Sequence, residues 1–262
     1  MTDRTHPGPR LLVCPVSKPN RPPERCSQGS AVSFPSLPSL PGPLVRLQLA
    51  LSESTADVGL ISDALRSDIG LASRFLRLAG QDLGGNAGEF SRFEDLVVHL
   101  GLERIRHLAA QTETLTRHPV GLVALQACER SWKRARLTAL AAEYMAASTE
   151  AVESDQAYLA GLFHHLGYCL RSLNRAERDD QPVDPHALGY SLACAWDFPR
   201  IILDSMRRHR LDAPASKTRV LREIVKTAVE WVLDVELQGI ADSEWSQSLQ
   251  KTDMSAKGIF KN

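Results

Sequence analysis

Most of the features that quickly assign a protein to a class are missing from this sequence. The 31 basic and 31 acidic side chains cancel, so no net field draws the chain to nucleic acid or to an anionic membrane, and neither is expected as a partner. The five cysteines, Cys14, Cys26, Cys128, Cys169 and Cys194, are odd in number and without CxxC spacing. That pattern argues against a disulfide framework or a zinc ribbon and favours a reducing compartment. No apolar run approaches the ~20 residues that a membrane helix needs, and no cleavable hydrophobic region follows Met1 to Arg10, since Leu11-Leu12-Val13 is too brief. The expected location is the cytoplasm. Alternating strand patterns are absent, as are repeats of 20 to 50 residues and a G-x-S-x-G nucleophile elbow. Asp82 to Gly88 is glycine-rich but lacks the Gly-Lys-Ser/Thr ending of a phosphate loop, so it reads as a connection.

What the chain does have is 262 residues, 43% of them hydrophobic, enough for one sizeable core. Ten of the 15 prolines fall between Pro7 and Pro43, where they preclude helix or packed strand. Residues 1–33 are therefore expected to form a disordered Pro-rich tail, 34–236 a helical domain, and 237–262 a polar C-terminal tail.

Within the domain the apolar period is helical almost throughout. Leu71, Phe75 and Leu78 share a face after Asp68, an N-cap candidate, with Gly80 as the expected stop. Ser91 to Glu94 is an S-x-x-E capping box ahead of a helix through Leu96, Val97 and Leu100 to Gly101. Another helix is expected through Ile105, Leu108, Ala109, Thr112 and Leu115 up to His118-Pro119. Trp132 to Ala147 is Ala-rich and carries Leu137, Leu140, Ala141 and Tyr144 at i, i+3, i+4, i+7. Leu159, Leu162, Phe163, Leu166, Leu170 and Leu173 form the cleanest stripe and predict one core helix bearing His164 and His165. Asp184-Pro185 predicts an N-cap with a first-turn proline, and the helix then runs through Tyr190 to Trp196. A further helix opens near Asp197-Phe198-Pro199, with Ile202, Met206 and His209 on one face. Last, Leu221, Ile224, Val225, Ala228, Val232 and Val235 make a wide stripe that requires a partner surface.

In this order the segments resemble an HDOD domain, a bacterial signalling relative of the HD-superfamily phosphohydrolases. Phe34-Pro35-Ser36-Leu37-Pro38 stands where that family has Leu-Pro-x-Leu-Pro. Ile61 to Ala79 is similar to its I-x-x-D-x-x-L-x-x-x-L-L-R-L-A helix pair, and Leu96 to Leu108 to its L-G-x-x-x-L-R-x-L turn. Trp132-Lys133-Arg134 fits W-x-H, Ala160 to Gly167 fits A-G-L-L-H-D-I-G, and His186, Trp196 and Pro199 fit H-x-x-x-G-x-x-L-x-x-x-W-x-L-P. The resemblance runs from Phe34 to His209 and extends toward Leu237. It implies an all-α fold, an HD-domain-like multi-helix bundle in two packed helical halves. Asp68-Ile69 and Gly80-Gln81 replace the family's Asp-Pro and Asn-Ser.

The departure that matters for chemistry is in the metal motif. An HD hydrolase brings imidazoles and carboxylates to one or two metals that activate water. Carried over position by position, its first histidine falls on Arg134, its His-Asp pair becomes His164 and His165, and its later histidines fall near His186 and His209. A guanidinium cannot ligate a metal. No catalytic residue, metal ligand or cofactor is therefore assigned. Arg134, His164, His165 and His186 are left as the candidate ligand pocket, an anion or nucleotide being the ligand expected there. Each also has an ordinary structural reading: the histidine pair as core imidazoles bonded to a neighbouring helix, His186 at a helix edge, His209 on a solvated basic face. Cys169 and Cys194 read as small core residues.

The resemblance implies a non-catalytic signal-transduction protein that binds a regulatory protein partner or a small ligand. The groove between the halves and the apolar patch near the Val220 helix are its expected contact surfaces. A divergent metal-dependent phosphohydrolase acting on a nucleotide or cyclic dinucleotide is the first alternative. A homo-oligomeric structural protein is the second.

Overall fold

Aspartates set the starts of several helices, because a carboxylate placed just ahead of a helix accepts from amides that have no partner in the first turn. Asp57 accepts from Gly59 and Leu60 N–H, Asp68 from Leu71 N–H, and Asp184 from His186 N–H. The computed structural model describes residues 36–52, 57–83, 92–117, 122–149, 151–176, 184–207 and 216–238. The expected Pro-rich tail (1–33), Phe34, Pro35, His209 and almost all of the C-terminal tail lie outside them. The described helices all belong to the unit Phe34–Asn262.

The first half holds α1 (Pro41–Ser52), α2 (Val58–Arg66), α3 (Ile69–Leu83), α4 (Phe93–Leu100) and α5 (Leu102–Ala110). α1 packs on α2 and α5, and α4 on the same two helices. The second half is built on the long α6 (Leu122–Ala147), followed by α7 (Ser154–His164), α8 (Leu166–Ala176), α9 (Pro185–Ala195), α10 (Arg200–Met206) and α11 (Ser216–Leu237). α6 carries α7, α8 and α11, while α9 lies on α8 and α10 bridges α7, α9 and α11. Among the described residues there is no strand, only an isolated bridge between Ser39 and Thr114. The all-α bundle in two packed halves is the fold observed. A continuous core runs through it, with Phe75, Phe93, Phe163, Leu37 and Leu47 almost wholly enclosed. Each such side chain contributes about 1.5–3 kcal/mol relative to exposure.

Several local expectations need correction. Gly80 does not end its helix; α3 continues to Leu83, and Gly80 sits where a Cβ would come within 2.8 Å of the Asp197 carbonyl. α4 begins at Phe93 with Arg92 at the cap and no side-chain cap bond of its own, Ser91 lying outside the described residues. Its first amide donates instead to Asp155 Oδ2 of α7 at 3.0 Å, an acceptor 62 positions away that no local motif announces. α5 stops at Ala110 because the Ser39 segment docks there: Ser39 N–H donates to the Glu113 carbonyl and Leu115 N–H to the Ser39 carbonyl. Leu115 thus falls in a separate 3-10 turn, Leu115–Arg117.

On α6 the buried face is Cys128, Trp132, Ala135, Thr138, Ala139, Ala142 and Met145, whereas Leu140 and Tyr144 are 38% and 42% exposed. The partner required by the α11 stripe is α6 together with α7 and α10, so Leu221, Ile224, Val225, Ala228, Val232 and Val235 are buried within the chain. The patch near Val220 is accordingly not a free contact surface. No described helix is long and apolar enough to cross a membrane.

Candidate functional site

The segment read as one core helix is two, joined at His165. His165 leaves helical geometry (φ −90°, ψ 2°), its N–H reaching back to the Leu162 carbonyl at 3.4 Å while its own carbonyl accepts from Cys169 N–H at 2.9 Å. Two glycines fix this joint. A Cβ on Gly161 would lie 2.8 Å from the Thr138 carbonyl of α6, and one on Gly167 would lie 1.7 Å from the Pro185 carbonyl of α9. Backbone therefore touches backbone on both sides of the histidine pair, and α9 is held close enough for His186 to join it.

Three of the four candidate residues come together. The His164 ring is 5.4 Å from that of His165 and 5.0 Å from that of His186, both edge-on. His165 is buried, and its Nε2 shares a hydrogen bond with the Thr138 hydroxyl of α6 at 2.9 Å. His186 Nε2 shares one with the Tyr168 hydroxyl at 2.9 Å. Among the described residues, neither ring nitrogen of His164 has a hydrogen-bond partner. Burial holds the proton affinity of His164 down to about 4, and the neighbouring His186 lowers it further. Burial also drives His165 well below the ordinary range, assisted by His164, Arg134 and His186. Both imidazoles are neutral at pH 7.

Arg134 stands apart. It is exposed on α6, one turn before Thr138, and its guanidinium forks onto Glu236 of α11, with Nε at 2.7 and 2.8 Å from the two carboxylate oxygens and Nη2 at 2.6 Å. It acts on His165 only through its field. Glu236, Thr138 and Tyr168 had no distinguishing signal in the sequence, since each is defined by what it meets across a helix interface. Cys169 is buried as expected, whereas Cys194 is only partly so.

The resident metal of an HD hydrolase does not suit this donor set. The first ligand position carries a cation already bound to a carboxylate, and the position of the acid is an imidazole whose Nε2 is engaged by a hydroxyl. Among the described residues no three His, Cys, Asp or Glu side chains are grouped to hold an ion.

The HDOD domain family matches residues 37–178. The chain belongs to the HDOD family. Among solved structures it is similar to the MmoQ response regulator of Methylococcus capsulatus str. Bath, with 19% identity and a TM-score of 0.61, over 87% of this chain and 99% of that one. It is also similar to a virulence factor of Campylobacter jejuni subsp. jejuni, with 16% identity and a TM-score of 0.53, over 85% and 94% of the two chains. At these identities the likeness is one of fold. No curated protein matches the sequence. HDOD domains are relatives of the HD phosphohydrolases, so the geometry at His164 and His165 decides what this member retains.

Proposed function

We propose that this HDOD protein is a non-catalytic signal-transduction module that binds a regulatory protein partner or a small ligand and carries out no hydrolysis. One observation carries the reading: the two residues standing where an HD hydrolase has its first ligand and its acid are engaged within the fold, Arg134 with Glu236 and His165 with Thr138. Freeing His165 would leave Thr138 unsatisfied in the core at a cost of about 1–3 kcal/mol. The word "response regulator" attached to MmoQ agrees with a signalling role by analogy, and a cytoplasmic setting goes with it. The open nitrogens of His164, beside His186, are the polar contacts that a small ligand such as a nucleotide would use.

The rival reading is a metal-dependent phosphohydrolase acting on a nucleotide or cyclic dinucleotide, and the placing of the His165 and His186 rings 5.4 and 5.0 Å from that of His164 favours it. The test is metal content and turnover. Protein purified without chelator is assayed for iron, manganese and zinc, then for release of phosphate or nitrophenol from nucleotides and nitrophenyl phosphate with each metal added. The expected outcome is sub-stoichiometric metal and no turnover. Stoichiometric metal with turnover, both lost in His164→Ala, would establish the enzyme instead.

A further inference from the structure

Between the two halves, α1, α2, α6 and α7 bound an open groove of about 610 Å³. Its walls present Leu49, Leu60 and Leu140, which are 61%, 51% and 38% exposed. Val45, one turn before Leu49, and Tyr144, one turn after Leu140, extend the strip past the ends of the groove. Exposed leucines gathered on the walls of one groove suit a contact surface.

The charges around it point to the kind of contact. Arg66 is held inside the wall, stacked over the Tyr158 ring at 4.0 Å and ion-paired with Glu143 and Asp155, so Glu143 is neutralised. Among the described residues, Arg46 reaches only the Ser67 hydroxyl, at 3.1 Å. Arg136 makes no hydrogen bond or ion pair among the described residues. Two cations without a carboxylate therefore flank the apolar floor, against the single acid Asp63. A small-molecule site encloses most of its ligand, whereas this surface is open and bounded by four helices. A helix laid lengthwise fits it, with apolar side chains at i, i+3 or i+4 and i+7.

We propose that the groove docks an amphipathic helix of a regulatory partner, its apolar stripe on Leu49, Leu60 and Leu140 and its flanking Asp or Glu residues on Arg46 and Arg136. This builds on the partner-binding reading above and names the chemistry of that partner; it does not draw on the histidine cluster.

The experiment is a phage-displayed library of scaffolded helical peptides, panned on the full chain. Enriched clones are expected to carry an apolar stripe with acidic flanks. Their affinity should fall about tenfold in Arg46→Glu/Arg136→Glu and by at least as much in Leu49→Asp/Leu140→Asp, with thermal melts unchanged because all four positions are at the surface. Clones that ignore both double variants, or that carry basic flanks, would overturn the proposal. Two other results would do the same: a homodimer in sedimentation equilibrium that Leu49→Asp dissociates, and saturable binding of ATP abolished by Arg136→Glu. Metal-dependent turnover at His164 with groove-dependent clones intact would sink the non-catalytic reading alone. Absence of groove-dependent clones in a metal-free, inactive protein would sink this proposal alone.

Discussion

The histidine cluster and the interhalf groove are built on opposite physical terms. At the cluster, backbone lies against backbone through Gly161 and Gly167, His165 and His186 are bonded to hydroxyls, and burial removes charge from His164 and His165. At the groove, leucines and two arginines remain in water with little to engage them. One region has most of its polar groups engaged by folding, His164 excepted, and the other leaves its side chains exposed. The proposed docking surface and the histidine cluster are thus distinguished by how much of their polar surface the fold already engages.

Acid would break this contrast by charging the cluster. The unfolded chain binds protons at His164 and His165 once the pH falls below about 6.5, while the folded chain resists until about 4 at His164 and until well below 6.5 at His165. Stability due to these groups is therefore full above pH 6.5 and lost as the pH falls toward 4. Asp68 works the other way: burial raises its carboxyl to about 6 despite amide donors from Leu40 and Leu71. The folded state thus takes up that proton first and gains stability as the pH falls from 6 toward 4. Two histidines outweigh one aspartate, so urea unfolding at pH 5 should show roughly 2 kcal/mol less stability than at pH 7. In His164→Asn/His165→Asn the sign should invert, leaving the Asp68 gain of about 1 kcal/mol. A wild-type curve flat over this range would mean that the imidazoles are hydrated.

A comparable loss is expected from Gly167→Ala. A methyl group 1.7 Å from the Pro185 carbonyl must push α8 and α9 apart, which costs about 3 kcal/mol or more and should appear as a lower thermal midpoint together with a more exposed His186. An unchanged midpoint would show that the joint is looser than it looks. The smallest effect belongs to Arg134→Ala. Its pair with Glu236 is surface-exposed, so stability should move by no more than about 0.5 kcal/mol. With the cation gone, the proton affinity of His165 should rise, a shift that an NMR titration can follow. A large destabilisation would move Arg134 from the rim of the cluster into its structure.

The fold was legible because most of its cues are local. Asp68 and Asp184 announce helix starts, and the α11 stripe is complete in sequence. Long-range substitutions for local cues were not. α4 takes its cap from Asp155, α5 ends where Ser39 docks, and the Leu140–Tyr144 period marks an exposed ridge in place of a core face. At the site, the sequence showed that a ligand and an acid had been replaced, but not what the replacements touch. That Arg134 turns outward to Glu236 while His165 turns inward to Thr138 is a fact of helix packing. The groove had been anticipated only as a cleft between the halves, because Arg46, Arg66 and Arg136 lie far apart along the chain and share a wall only once α1, α2 and α6 have assembled.

Asp155 gives the architecture a mechanical property. One of its oxygens holds Arg66 in the groove wall at 3.3 Å, and the other holds the leading amide of α4. Tension applied at one arm of that carboxylate is felt at the other, so a weight resting on Arg66 of α2 registers, by way of α7 in the opposite half, in the first turn of α4.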